Sequence, residues 1–294
     1  MFDLRYHVAS LTAVFVALVI GILVGVGLSG KGFVNDAERA NLTRQIADLQ
    51  RERDAAQQLL GSAGRVEQAL RDFATEAYPA VVPGRLKGQR VAVLFVGPID
   101  RGASFAVGKA VRDAGGTVVR TRSIGVPVDA KAIQDALRRQ PALRQLVGKD
   151  KLEGLGSALA GELAAGGKTP LWDALDQIIV QEREGPAAPP ADAVVVIRSA
   201  EPQRGGTKAF LSGVYTGLAR SGEPAVGTEA SGSGTSAIPA FSLAGLSTVD
   251  SVDTSAGRLG LVLLLGGAEP GSYGVGETAR DGVLPAIPPS PSPG

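Results

Sequence analysis

The sequence predicts an α/β protein: a Rossmann-like parallel-sheet domain preceded by one transmembrane helix and a coiled-coil stalk. Three observations carry that prediction. A 21-residue apolar stretch without a charge, Val8 to Leu28, stands near the start of the chain. A polar stretch free of proline and glycine, Asn35 to Leu60, places apolar residues on a heptad spacing. Beyond Pro83-Gly84, short apolar runs alternate with amphipathic segments, the pattern of a parallel sheet covered on both faces.

As a helix, the 21 residues from Val8 to Leu28 span roughly 31 Å, close to the hydrocarbon thickness of a bilayer. The run exceeds the apolar core of a typical signal peptide, and no A-x-A-like cleavage site follows in Leu28-Ser29-Gly30-Lys31-Gly32, so a retained anchor is expected. Gly21 and Gly25 form a G-x-x-x-G pair, a candidate helix–helix contact in the membrane, although glycine is common in such helices anyway. Flanking charges barely discriminate orientation: Arg5 opposes Asp3 on one side, and Lys31, Asp36, Glu38, Arg39 and Arg44 mix on the other. The short head is expected in the cytoplasm, making the protein a single-pass cell-membrane protein with its C-terminal domain extracytoplasmic.

In the next segment Leu42, Ile46, Leu49, Ala56 and Leu60 follow a heptad spacing, with Arg53 in the apolar slot between Leu49 and Ala56. This predicts a homodimeric coiled coil; an amphipathic helix packed on its own domain would give the same pattern. Asn35 and Asp36 suit a helix start. A glycine break is expected at Gly61-Ser62-Ala63-Gly64, then a second helix with Val66, Ala69, Leu70, Phe73 and Ala77 on one face, ending by Pro79.

In the domain, Arg90–Val96 reads as a buried strand, Ala103 to Ala114 as a helix stopped by Gly115-Gly116, and Thr117–Arg120 as a second strand, a β-α-β unit with parallel strands. A largely helical middle is expected from Asp129 to about Glu184. Ala193–Ile197 is a third strand, Thr207 to Arg220 a helix stopped by Gly222, and Ala225–Gly227 a short fourth strand. Ser231–Ser236 reads as a flexible surface loop, and Pro285 to Gly294, with five prolines, as a disordered tail. The expected divisions are 1–30 (head and membrane helix), 31–78 (stalk), 85–284 (α/β domain) and 285–294 (tail).

Composition narrows the chemistry. A net charge of +1 gives no electrostatic case for nucleic acid, and aromatic residues are too scarce for base stacking. The 294 residues contain no cysteine, one methionine (Met1) and one histidine (His7). The exported region therefore lacks the side chains for a Cys/His zinc site, a thiolate or thioether copper site, or a His-based triad. The turn Gly97-Pro98-Ile99-Asp100-Arg101-Gly102 is neither a dinucleotide fingerprint nor a P-loop, and no G-x-S-x-G elbow occurs. Asp100 or Ser104 reads as a helix cap. No catalytic residues and no cofactor are expected.

The densest polar cluster is Ser247-Thr248-Val249-Asp250-Ser251-Val252-Asp253-Thr254, before a helix from Ser255 to Leu265 that carries Arg258. Asp250 and Asp253 offer hard ligands for a cation. The stronger reading is structural: Asp253 or Thr254 caps the following helix, while Asp250 and Arg258 tie a loop to the domain. His7, with the α-amine of Met1, could hold Cu(II), but a lone histidine at the head of a membrane helix is more simply an interfacial residue.

Ser247, Thr248, Asp250, Asp253, Thr254, Gly257 and Arg258, followed by an apolar helix, Tyr273, Gly274, Gly276 and Leu284-Pro285, resemble the MctB family of actinobacterial envelope proteins. The start, Phe2 through Leu11 with Arg5-Tyr6-His7, is similar too, as is the order anchor, coiled coil, α/β domain. The resemblance covers nearly the whole chain. It implies copper transport or copper homeostasis, with copper as the metal concerned, and an envelope location. The resemblance also extends to members placed with the division machinery as coiled-coil partners of a septal peptidoglycan hydrolase. Two functional readings follow. One is a non-catalytic, membrane-anchored interaction module of the copper-transport family, homodimeric through its stalk and with an envelope protein partner. The other is a septal scaffold controlling a peptidoglycan hydrolase, with no direct copper handling.

Overall fold

The computed structural model describes residues 4–29, 36–232 and 234–287. The expected helix-start residue Asn35, the α-amine of Met1, Lys31 and residues 288–294 of the expected tail lie outside them. The chain forms two compact units, Met1–Glu67 and Gln68–Gly294.

The first unit is helical. α1 runs Leu4–Ser29, and α2 begins at Asp36. Residues Tyr6–Gly27 of α1 form a 22-residue segment long and apolar enough to cross a membrane. α2 continues to Val81 without a break, so the sequence-predicted interruption at Gly61 and Gly64 is absent and Pro79 lies inside the helix. A glycine in a helix costs about 1 kcal/mol relative to alanine but ends the helix only where the backbone turns left-handed. That turn comes at Gly84, with φ of +80°. Pro79 sits in the last turn, two residues before the helix ends at Val81.

The second unit holds a seven-stranded sheet in the order β3-β2-β1-β4-β5-β6-β7. The strands are β1 Arg90–Val96, β2 Thr117–Ile124, β3 Val180–Glu184, β4 Ala193–Arg198, β5 Ala225–Thr228, β6 Ser247–Val249 and β7 Ser272–Tyr273. All neighbours are parallel except β2 and β3. The expected parallel unit is present as β1, α3 (Arg101–Asp113) and β2. The middle of the chain is helical as α4 (Ala130–Arg139), α5 (Leu152–Ala165) and α6 (Pro170–Ala174), but it ends in the edge strand β3 rather than in helix. β3 reads Val-Gln-Glu-Arg-Glu, a short charged run whose side chains keep a sheet edge soluble and give no apolar alternation to mark a strand. Buried Arg122 of β2 fastens that edge, donating to the carbonyls of Glu184 and Gly185.

Strand periodicity builds two cores. Val91, Val93 and Phe95 of β1, with Ala193, Val195 and Ile197 of β4, face α3, α9 (Ser255–Leu265) and the end of α2. Ala92, Leu94 and Val96, with Val194 and Val196, face α4–α6, α7 (Gly205–Ala219) and α8 (Ile238–Leu243). Both faces of the central strands are therefore covered by helices. On the second face α5 and α7 approach at backbone distance. A Cβ on Gly213 would overlap the carbonyl of Glu153, and one on Gly156 would overlap that of Phe210. Gly161 of α5 has nothing within 4 Å of an added Cβ.

Gly213→Ala should therefore destabilise the α/β unit by about 1–3 kcal/mol through overpacking. Gly161→Ala should be neutral or stabilising by up to about 1 kcal/mol. Denaturant unfolding followed by circular dichroism distinguishes the pair; equal effects would contradict the close α5–α7 contact.

Candidate functional site

Three features of the described residues bear on function: the motif cluster at one end of the sheet, a cleft at the carboxyl ends of its central strands, and the surfaces of α1 and α2.

The motif cluster forms a latch. Asp250 follows β6, and its carboxylate accepts the amide N–H groups of Val275 and Gly276, each at 2.9 Å. These amides follow β7, so one side chain holds the last strand and its loop to the sheet. The glycines around it make room: a Cβ on Gly274 would overlap the Asp250 carboxylate, and one on Gly276 would sit 2.9 Å from Oδ2. Thr248 and Ser272 join β6 to β7 through their hydroxyls at 2.7 Å, and Tyr273 is buried in the first-face core.

Thr254 caps α9, accepting the amide of Gly257 at 3.0 Å while donating to the carbonyl of Ser251 at 2.8 Å. Gly257 packs so closely on the Ser251 carbonyl that a Cβ would overlap it. Asp253 accepts both the amide (2.6 Å) and the hydroxyl of Ser231. Burial alone would raise its pKa, but these bonds and the charge of Arg258 outweigh that and hold the carboxyl below its usual range. Arg258 donates to the Asp253 carbonyl at 2.8 Å and lies over the Tyr78 ring, 5.5 Å from its centre. Ser247 opens β6 on the register of Val226 in β5. The oxygens of Asp250 and Asp253 are thus occupied by backbone amides and a hydroxyl. Among the described residues no three His, Cys, Asp or Glu side chains group to hold a metal.

The cleft arises from topology. The chain winds outward from β1 on one side through β2 and β3, and on the other from β4 through β5, β6 and β7. The crevice where the order reverses opens at the carboxyl ends of β1 and β4. It has a volume of about 170 Å³ and is lined by Asp100, Arg198, Ser199, Glu201, Glu229 and Thr235, among others. Asp100 caps α3 by accepting the amide of Ala103 at 2.7 Å. Glu229 is buried and accepts the Ser236 hydroxyl (2.7 Å) and the Ala237 amide (2.6 Å). Arg198 donates to the carbonyls of Thr235 (2.9 Å) and Ser236 (3.0 Å), so the expected surface loop is bonded to the domain at its far end as Asp253 bonds it at Ser231. Three carboxylates against one guanidinium disfavour a phosphate-bearing ligand, in keeping with the missing glycine fingerprint. The sequence pattern predicts β1 and β4 but not their adjacency; the polar residues in the turns that follow them, Asp100 and Ser199, are the available signal.

The remaining sequence-singled residues lie on the helices. His7 stands exposed on α1, and Gly21 and Gly25 have nothing within 4 Å of an added Cβ. Leu42, Ile46, Leu49 and Leu60 on α2 are 51–73% exposed, and Ala56 is exposed beside them.

Asp250→Ala should cost about 1–3 kcal/mol and speed hydrogen exchange at Val275 and Gly276, whose amides lose their acceptor. Because the folded pKa of Asp253 lies below its unfolded value of about 3.9, its tie to Ser231 stabilises fully above that pH and is lost as pH falls through the lowered value. Asp253→Asn should flatten the stability profile on the acid side; an unchanged acid limb would contradict the tie.

The family profile described as "Copper transport outer membrane protein, MctB" matches residues 1–284. Proteins named "Copper transporter MctB" from Mycobacterium bovis and from two strains of Mycobacterium tuberculosis are each 31% identical over 126 residues. That alignment spans 42% of this chain and 38% of each relative. The match over 1–284 takes in the anchor-like helix, the long α2 and the latch around Asp250 together, and the chain belongs to the MctB family.

Proposed function

We propose that this chain is a single-pass, membrane-tethered member of the copper-transport family whose exported part works as a non-catalytic interaction module. One observation carries the reading. The described apolar segment of α1 is entirely unburied, so its 22 residues require a non-aqueous surrounding that the described residues do not supply. A bilayer is the matching solvent in length and polarity.

A tether explains more than a conduit does. One helix encloses no aqueous path, and a pore would need several spans or a closed barrel. Ser10 and Thr12 are the polar side chains of the apolar stretch, and Thr12 spends its hydroxyl on the carbonyl of Val8 at 2.8 Å. The copper cargo named for the relatives would also meet no cysteine, and no methionine or histidine beyond Met1 and His7. In this reading the chain serves copper transport through an envelope protein partner. The stalk is a coiled coil, and the α/β domain is Rossmann-like by its strand order, presenting its cleft and loops outside the cytoplasm. The short head lies in the cytoplasm.

The test is helix replacement. Exchanging residues 6–27 for an unrelated poly-Leu/Ala span of equal length should leave the protein in the membrane after carbonate extraction. It should leave the domain protease-sensitive only from outside the cell and restore copper tolerance to a strain deleted for the gene as fully as the parent. Full membrane insertion with lost copper tolerance would show that α1 does more than tether.

A further inference from the structure

The apolar stripe of α2 is exposed in the single chain, and its details specify the partner of the proposed coiled coil. In heptad terms Leu42, Leu49 and Ala56 occupy d positions, while Ile46, Arg53 and Leu60 occupy a positions. A β-branched residue at a with leucine at d favours two parallel strands, and one polar residue at a fixes register at some cost in stability. These side chains stand open to solvent in the single chain, with Leu60 at 73%. Among the described residues Arg53 pairs with its sequence neighbour Asp54, at 2.7 Å.

We infer that α2 pairs with α2 of a second copy of this chain, parallel and in register, with Arg53 of each copy ion-paired to Glu52 of the other. The inference rests on the tether reading, since two chains anchored through α1 start their stalks from the same membrane face. In a parallel two-stranded coil an a-position knob enters a hole formed by the preceding d and g, the same a, and the following d of the facing helix. For Arg53 that hole is the second copy's Leu49, Glu52, Arg53 and Ala56. Ala56 is small and leaves room for the aliphatic stem of the arginine. Glu52, at g, supplies the carboxylate that the guanidinium reaches by bending to the rim. The symmetry places two such pairs in one layer and separates the two guanidinium groups. Shifting the register by a heptad sets Arg53 opposite Ile46 or Leu60, leaving a charge against apolar side chains without its carboxylate. The alternation Ile46, Arg53, Leu60 thus admits one alignment.

The chain has no cysteine, so each introduced thiol reports unambiguously. In the full chain in native membranes, Leu42→Cys and Leu49→Cys should each give a disulfide-linked dimer on mild oxidation, while Arg51→Cys on the opposite face should not. Glu52→Arg in the Leu49→Cys background should lower the cross-linked fraction by about threefold, the scale of a surface charge-pair coupling. The swap Glu52→Arg/Arg53→Glu should restore it. Cross-linking of Leu42→Cys only to Leu60→Cys would make the pair antiparallel and overturn the inference. So would equal cross-linking at Arg51→Cys and Leu49→Cys, or no recovery in the swap. Carbonate extraction of the same variants separates the two readings: a protein that stays in the membrane without cross-linking fails the pairing alone, and one that is extracted fails the tether.

Discussion

An apolar helix with none of its membrane-length span buried among the described residues sets the terms for everything else in this chain. Thirteen large side chains of α1, from Tyr6 to Val26, stand open. Each costs roughly 1.5–3 kcal/mol in water relative to full burial. No other part of the described structure carries an apolar surface of that extent. A bilayer removes the cost, and with it come the consequences we propose: a fixed starting plane, one direction for α2, and a domain presented on one side.

The α/β unit answers a different constraint. β1 and β4 are apolar on both faces, so helices must cover both, and the sheet grows outward from this pair. The outward growth ends in β7, a two-residue strand with little ladder of its own. Asp250 makes up the deficit by holding the amides beyond β7, and the glycines at 274 and 276 let the backbone come close enough. The residues that carry the sequence resemblance are therefore explained by what they hold in place. Their acidic side chains look like ligands in the sequence because the amides they satisfy lie 22 to 26 residues away.

How much of this was legible follows from range. α1, the apolar stripe of α2, and the strands β1, β4 and β5 are local patterns of period and length, and they could be read directly. Thr254 as the cap of α9 follows from a three-residue spacing. The unbroken course of α2 through Gly61 and Gly64 was not legible, because glycine permits a stop without imposing one. β3, β6 and β7 are too short or too polar to show alternation, and each is a strand only because a neighbour offers a free edge. The cleft beside Asp100, Arg198 and Glu229 depends on strand order, which joins positions about a hundred residues apart.

The account rests on one helix acting as a tether with the stalk pairing beside it, and not as a conduit. Reconstituting the purified full chain into sealed liposomes loaded with a copper-quenched fluorophore measures this directly. The account predicts copper entry no faster than in protein-free vesicles, at protein densities where the chain is fully membrane-inserted. Copper entry that rises with protein density, and that persists when the same chain is the sole protein present, would contradict it.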